Sequence, residues 1–173
     1  THLVKRLESS FYAFRRSLHT LLEATRGMIK MIREDKVIIA PDLNVKKLQS
    51  DGVVLVEIIE LAIGKGFDQK EILFHAADFK PDFLPMLEYD AGVLDKLCQR
   101  WDKVKSDPKL ELFINMLQGE LFDKEKNPGG KLVVFSESVD TVNYLEKELK
   151  ERLDRDDILA VCAKNRKRLQ KII

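Results

Sequence analysis

The chain has 173 residues, 30 Lys and Arg against 29 Asp and Glu, and a formal net charge of +1. Hydrophobic residues make up 45% and charged residues 34%, which excludes intrinsic disorder and leaves room for one domain, or two small ones, with a real core. Apolar runs such as Val53 to Val56 fall far short of the ~20 residues of a membrane span, and the balanced charge argues against a simple basic nucleic-acid binder.

Cys98 and Cys162 are too few for a disulfide framework and point to a reducing, cytoplasmic setting. The first residues lack the apolar stretch of a signal peptide. The chain opens on Thr1 and stops at Ile173 without a cap or turn, so the expectation is a piece of a longer protein. Its charge is uneven. Residues 1–34 carry 7 basic and 3 acidic side chains, residues 35–95 carry 6 and 12, and the last ten carry five bases and no acid. Either solvated helix faces cluster by chance, or the basic ends face an anionic partner.

From Leu3 to Asp35 no proline interrupts a helical pattern. Leu7, Phe11, Phe14, Leu18, Leu21, Thr25, Met28 and Ile32 follow at alternating spacings of four and three, which predicts one long helix with a heptad seam. Arg15 and Arg16 fall outside that seam. Val37 to Ala40 reads as a short strand or an extended connector, stopped by Pro41. Leu43 to Gln49 reads as a short helix. Val54 to Ile63 reads as another, burying Leu55, Ile58, Ile59 and Ala62 and closed by Gly64 and Gly66. Asp68 to Ala77 predicts a further short helix, and Met86 to Val104 an amphipathic one in which Trp101 packs. Asp107 and Pro108 form a helix start, N-cap then first turn. Leu110, Phe113, Ile114, Leu117 and Leu121 line one face of that helix.

After the loop Asn127-Pro128-Gly129-Gly130 the pattern changes. Lys131 to Phe135 is a continuous apolar run of the kind buried in parallel sheets. Ser136-Glu137-Ser138 turns into a helix, with Ser138 as N-cap and Val139, Val142, Leu145, Leu149 and Leu153 as its buried stripe. Ile158 to Cys162 is a second strand-like run, and Asn165 to Ile173 begins a basic helix. The fold class is therefore mostly α with a C-terminal α/β portion: a long N-terminal helix and a helical region, then one right-handed βαβ unit. Two parallel strands do not make a stable sheet, so further strands are expected after Ile173.

Catalytic motifs are nearly absent. There is no phosphate-binding loop, no dinucleotide fingerprint, no C-x-x-C pair and no nucleophile elbow. His2, His19 and His75 lack metal-ligand spacing, and Asp156-Asp157 is a turn signal. No catalytic, cofactor-binding or metal-ligating residue is assigned.

Two stretches carry a resemblance. Asp107 to Leu117 followed by Lys131 to Leu145 resembles the start of the second RecA-like lobe of superfamily two helicases, in the Swi/Snf-like branch, where a "D-x-K" helix precedes a "K-V-L-I-F-S" strand and a "D-T-x-x-x-L" helix. Lys5 to Leu18 is similar to the "K-R-x-E-S-S-x-x-A-F" segment of bacterial members. The resemblance implies residues 1–105 as a helical inter-lobe region and 106–173 as the truncated start of an incomplete RecA-like lobe. It implies a parent protein that couples ATP hydrolysis, with ATP and Mg, to movement on nucleic acid, DNA favoured over RNA. This part alone would hold no cofactor and be inactive. It would serve structural coupling, with a possible protein partner for the helical region and no membrane. By the same resemblance Ser136, Glu137 and Ser138 lie near the nucleic-acid backbone. Lys164, Arg166 and Lys167 stand where family members have a "S-G" turn, and their charge suits a phosphate backbone. Ordinary helix capping is the competing reading for the two serines, and a free surface patch for the three bases. The alternative for the whole chain is a stand-alone helical interaction module that docks through its heptad helix.

Overall fold

The computed structural model describes residues 2–40, 43–45, 48, 53–163 and 165–166. It is mostly helical, with one two-stranded antiparallel sheet among the described residues. The chain divides into two compact units, Leu18–Gln99 and Thr1–Ser17 with Arg100–Ile173. Among the described residues no helix is long and apolar enough to cross a membrane.

The N-terminal segment forms two helices, α1 (His2–Ser9) and α2 (Phe11–Arg33). The single helix predicted from Leu3 to Asp35 is thus interrupted at Ser10. Helical hydrogen bonds still run through it, from Ser10 N to Arg6 O and from Phe14 N to Ser10 O. The Ser10 hydroxyl, however, accepts from Ala13 N at 3.0 Å and caps α2 as a new start. The buried stripe also differs. Leu18, Leu22, Ile29 and Ile32 are buried, whereas Leu21 is 42% exposed. Leu21-Leu22 and Met28-Ile29 are adjacent apolar pairs, so either stripe fits the spacing, and packing selects the second.

In the Leu18–Gln99 unit, α2 ends on Asp35 in the left-handed region, at φ 55°. Asp35 N donates to Ile32 O and Lys36 N to Met31 O, the paired bonds of a Schellman cap. The chain then enters β1 (Val37–Ile38), which pairs with β2 (Leu73–Phe74) so that Val37 faces Phe74 and Ile38 faces Leu73. The helix predicted over Asp68–Ala77 is corrected by this pairing. Only α4 (Gln69–Ile72) is α-helical, and Leu73-Phe74 leave it for the ladder before a 3₁₀ turn at Ala76–Asp78. Between the strands, α3 (Leu55–Gly64) closes on Gly66 at φ 93°, with Phe67 N donating to Ala62 O, as its glycines predict. Ile38, Ala40, Ile58, Ala62 and Ile72 form the core. Of the helix expected over 43–49, residues 43–45 and 48 are described, Val45 and Leu48 being helical, and the rest lies outside the described residues. α5 (Phe83–Asp102) is tied to α2 by Arg26–Asp95 and Arg33–Glu88 ion pairs, 2.8 and 2.7 Å.

In the other unit, α6 (Pro108–Met116) starts as expected. The Asp107 carboxylate accepts from Leu110 N, and Pro108 occupies the first turn. A wider π-type turn, Leu117–Leu121, follows. α7 (Val139–Leu153) is capped by Ser138, whose hydroxyl accepts from Thr141 N at 3.3 Å. Leu110, Ile114, Leu117 and Leu149 form the core. Val139, expected on the buried stripe, is 50% exposed. Trp101 takes the edges of Phe11 and Phe14, with ring centroids 5.1 and 4.8 Å away, so its role is packing.

The strands expected at 131–135 and 158–162 are not formed. Both runs are irregular, and among the described residues no backbone hydrogen bond joins them. The parallel βαβ unit is therefore present only as its helix with two unpaired flanking segments. Phe135 is 91% exposed, and a two-strand parallel ladder lacks the neighbours that stabilise such pairs.

Ile58→Ala removes a fully buried side chain from a packed core and should lower stability by ~2–5 kcal/mol in urea unfolding. Val56→Ala, on an exposed side of the same helix, should stay within ~0.5 kcal/mol. Equal losses would contradict this core.

Candidate nucleic-acid interface

The turn before α7 gathers a dense set of polar contacts from α1, α2 and α7. Ser136 Oγ accepts from Ser138 N at 3.2 Å, a local turn that sets up the helix start. Ser138 is 5% exposed, and its hydroxyl also accepts from Arg6 Nη1 at 2.6 Å. The same guanidinium donates through Nε to Ser17 Oγ at 2.9 Å and forms an ion pair with Asp140. Arg16 approaches the other Asp140 oxygen at 3.2 Å. Around them runs a hydroxyl cluster: Thr141 Oγ1 shares hydrogen bonds with Ser9 Oγ at 2.7 Å and with Ser10 Oγ at 3.0 Å. Nearby, Tyr12 stacks on Tyr144 at 4.9 Å. Burial, helped by the carboxylates of Asp107 and Glu148, pushes the Tyr144 phenol up to about 12.

Beside this cluster lies a groove of about 680 Å³. Lys5, Arg6, Lys109, Ser136, Glu137 and Phe135 are on its wall. Lys109 Nζ donates to Glu8 O at 2.5 Å. The site thus combines a helix start, whose first amides lack intrahelical acceptors, with lysines and arginine, but also with Glu137 and Asp140. Asp140 offsets only one of the two Arg6 and Arg16 charges, and Glu8, Asp107 and Glu137 on the groove wall oppose Lys5, Arg6 and Lys109, so any grip on a phosphate through Lys5 and Lys109 is weak.

Of the residues expected to meet nucleic acid, Ser136, Glu137 and Ser138 stand together on this groove. The two serines serve capping and the Arg6 contact, so both readings of them fall on one place. Glu137 is exposed, and so is Arg166, which does not line the groove. Lys164 and Lys167 lie outside the described residues. Sequence reasoning missed Arg6, Lys5 and Lys109. The basic excess of residues 1–34 was the available signal, but nothing in it paired that segment with a helix start over 130 residues away.

A second polar pair sits in the Leu18–Gln99 unit. His75 Nδ1 lies 3.1 Å from Asp35 Oδ2, and Asp35 Oδ1 accepts from Ala76 N at 2.7 Å. Both side chains are exposed. The amide of Ala76, then His75, hold the Asp35 carboxyl below its ordinary range, and the hydrogen bond that His75 donates to Asp35 raises the imidazole above 6.5. The pair fastens the left-handed end of α2 to the 3₁₀ turn. Among the described residues no group of three His, Cys, Asp or Glu could hold a metal ion, and Cys98 and Cys162 form no disulfide.

No family model, curated protein or solved structure matches this chain.

His75 should titrate above pH 6.5 by NMR and fall back towards its ordinary value in Asp35→Asn. Because the folded value is raised, the stabilisation is complete below 6.5 and is lost as pH rises through the folded value. Its Asp35 component, with a lowered folded value, is lost only on strong acidification. A His75 midpoint unmoved by Asp35→Asn would remove the pair from the account.

Proposed function

We propose that this chain acts as the inter-lobe helical region and the beginning of the second RecA-like lobe of a Swi/Snf-like, nucleic-acid-dependent ATPase. In that role it couples lobe closure to grip on the strand and touches the nucleic-acid backbone at the start of α7. The observation that carries this reading is the order of elements after Asn127. An irregular apolar run, a hydroxyl turn, α7 and a second irregular apolar run follow one another, and both runs line one groove of about 550 Å³ along α7. Leu132, Val134, Ile158 and Ala160 contribute to that groove from the two runs. Val133 and Phe135 stand 74% and 91% exposed, apolar surface that helices on the other face of a larger parallel sheet would cover.

The residues present do not fit ATP or its magnesium ion. The sequence has no glycine-rich phosphate loop, and the hydroxyls at the α7 start are already committed to Arg6, Thr141 and each other. ATP hydrolysis in this reading belongs to parts of the parent outside this chain, and no step of it is assigned to residues here. What these residues supply is a weak electrostatic contact to phosphate through Lys5 and Lys109, positioned by the Arg6 cluster.

Binding of labelled single-stranded or duplex DNA, followed by fluorescence anisotropy, should be micromolar at low salt and weaken steeply as salt rises. Lys5→Glu with Lys109→Glu should reduce the salt slope by about 0.9 for each duplex phosphate that is no longer neutralised. Submicromolar ATP binding by this chain, or DNA binding indifferent to salt, would overturn the proposal.

A further inference from the structure

The outward side of α5 is built unlike a solvated surface. Cys98 is buried, and Leu87, Ala91 and Leu94 on the same side are half-buried. The Arg26–Asp95 and Arg33–Glu88 ion pairs fix that side against α2. The opposite side should be polar. Instead it presents Met86, Tyr89 and Val93, spaced three and four apart and 60%, 74% and 41% exposed. Gly92 lies beside them, and a Cβ added there would meet nothing within 4 Å, so another backbone has room to approach.

We propose that this stripe pairs with the same stripe of a second copy, the two α5 helices running antiparallel. Self-complementarity points to a copy and to that direction. With the two-fold axis crossing at Ala91, Tyr89 of each helix meets Val93 of the other, and Met86 meets the aliphatic stem of Lys96. The central layers are then filled by Tyr89 and Val93, and the next by Met86 against the Lys96 stem. Charge agrees. Asp82 and Asp90 lie towards the start of the helix and Lys96 towards its end, all exposed. Antiparallel pairing brings each Lys96 within a turn of the other copy's Asp82, whereas parallel pairing sets Lys96 against Lys96 and Asp90 against Asp90. One helix pair buries less than a standard interface, so the dimer is weak and forms in the upper micromolar range. This inference stands apart from the motor reading, since it uses neither the α7 turn nor the unpaired runs.

Sedimentation velocity from low micromolar to near-millimolar protein tests it. The chain should shift from monomer to dimer, and Tyr89→Glu should raise the concentration needed at least tenfold with an unchanged circular dichroism spectrum. In a Cys162→Ser background, Met86→Cys with Lys96→Cys should form interchain disulfides under mild oxidation. Met86→Cys alone should not, because like positions lie about 15 Å apart along the antiparallel pair. A monomer at every concentration would overturn the proposal, leaving the stripe to a different partner or to none. So would a dimer indifferent to Tyr89→Glu, or equal cross-linking by the single and double variants.

Discussion

Arg6 is the point on which the polar architecture of its unit turns. One guanidinium reaches Ser17 on α2, the Ser138 cap of α7 and Asp140 in the first turn of α7. It closes a loop of 134 residues in sequence, so the ordering entropy it opposes is large but grows only slowly with that length. The pair is about three-quarters buried on each side, at 24% and 22% side-chain exposure. Burying charge in this way stabilises little in net terms compared with an apolar contact. Removing one partner, however, leaves the other desolvated and unpaired. The value of the cluster lies in register: it allows one docking of α1 against the start of α7. The hydroxyls of Ser9, Ser10 and Thr141 tighten that choice.

The same contact explains how the charge segregation is used. The basic excess of the first 34 residues does not stand as one bare patch. Arg6 and Arg16 converge on Asp140 in one unit, and Arg26 and Arg33 meet Asp95 and Glu88 in the other. The exposed pairs, Arg26–Asp95 and Arg33–Glu88, contribute little each, but with Asp140 they determine which faces remain charged. What is left on the groove at the α7 start is Lys5 and Lys109, with the acidic Glu8 and Asp107 on the same wall. The proposed grip on nucleic acid is accordingly modest, and Glu137 on the same groove weakens it further.

Local signals were legible in the sequence. Asp107-Pro108 and Ser138 cap the helices they precede, and Gly66 ends α3, because each solves a hydrogen-bonding problem within a few residues. Non-local pairings were not legible. Leu73-Phe74 read as helix because the partner Val37-Ile38 lies more than thirty residues away and carries no mark of pairing. Asp35 takes the left-handed cap position usual for glycine, held there by His75 and Ala76, which only the fold brings near. The apolar runs at 131–135 and 158–162 show the reverse case. Their composition suits buried strands, but composition does not supply ladder partners. At the candidate site, the serine turn was visible as a helix start. Arg6 was not, because its partners are assembled across the whole unit.

The most direct test of this account is a double-mutant cycle on Arg6→Ala and Asp140→Ala, read by urea unfolding with circular dichroism. The interlock predicts that each single change destabilises and that the two are coupled by at least about 1 kcal/mol, the double variant being destabilised by less than the sum of the two single effects. Effects that add within about 0.5 kcal/mol would mean that the Arg6–Asp140 contact does not hold α1 against α7, and the central role given to Arg6 would be wrong.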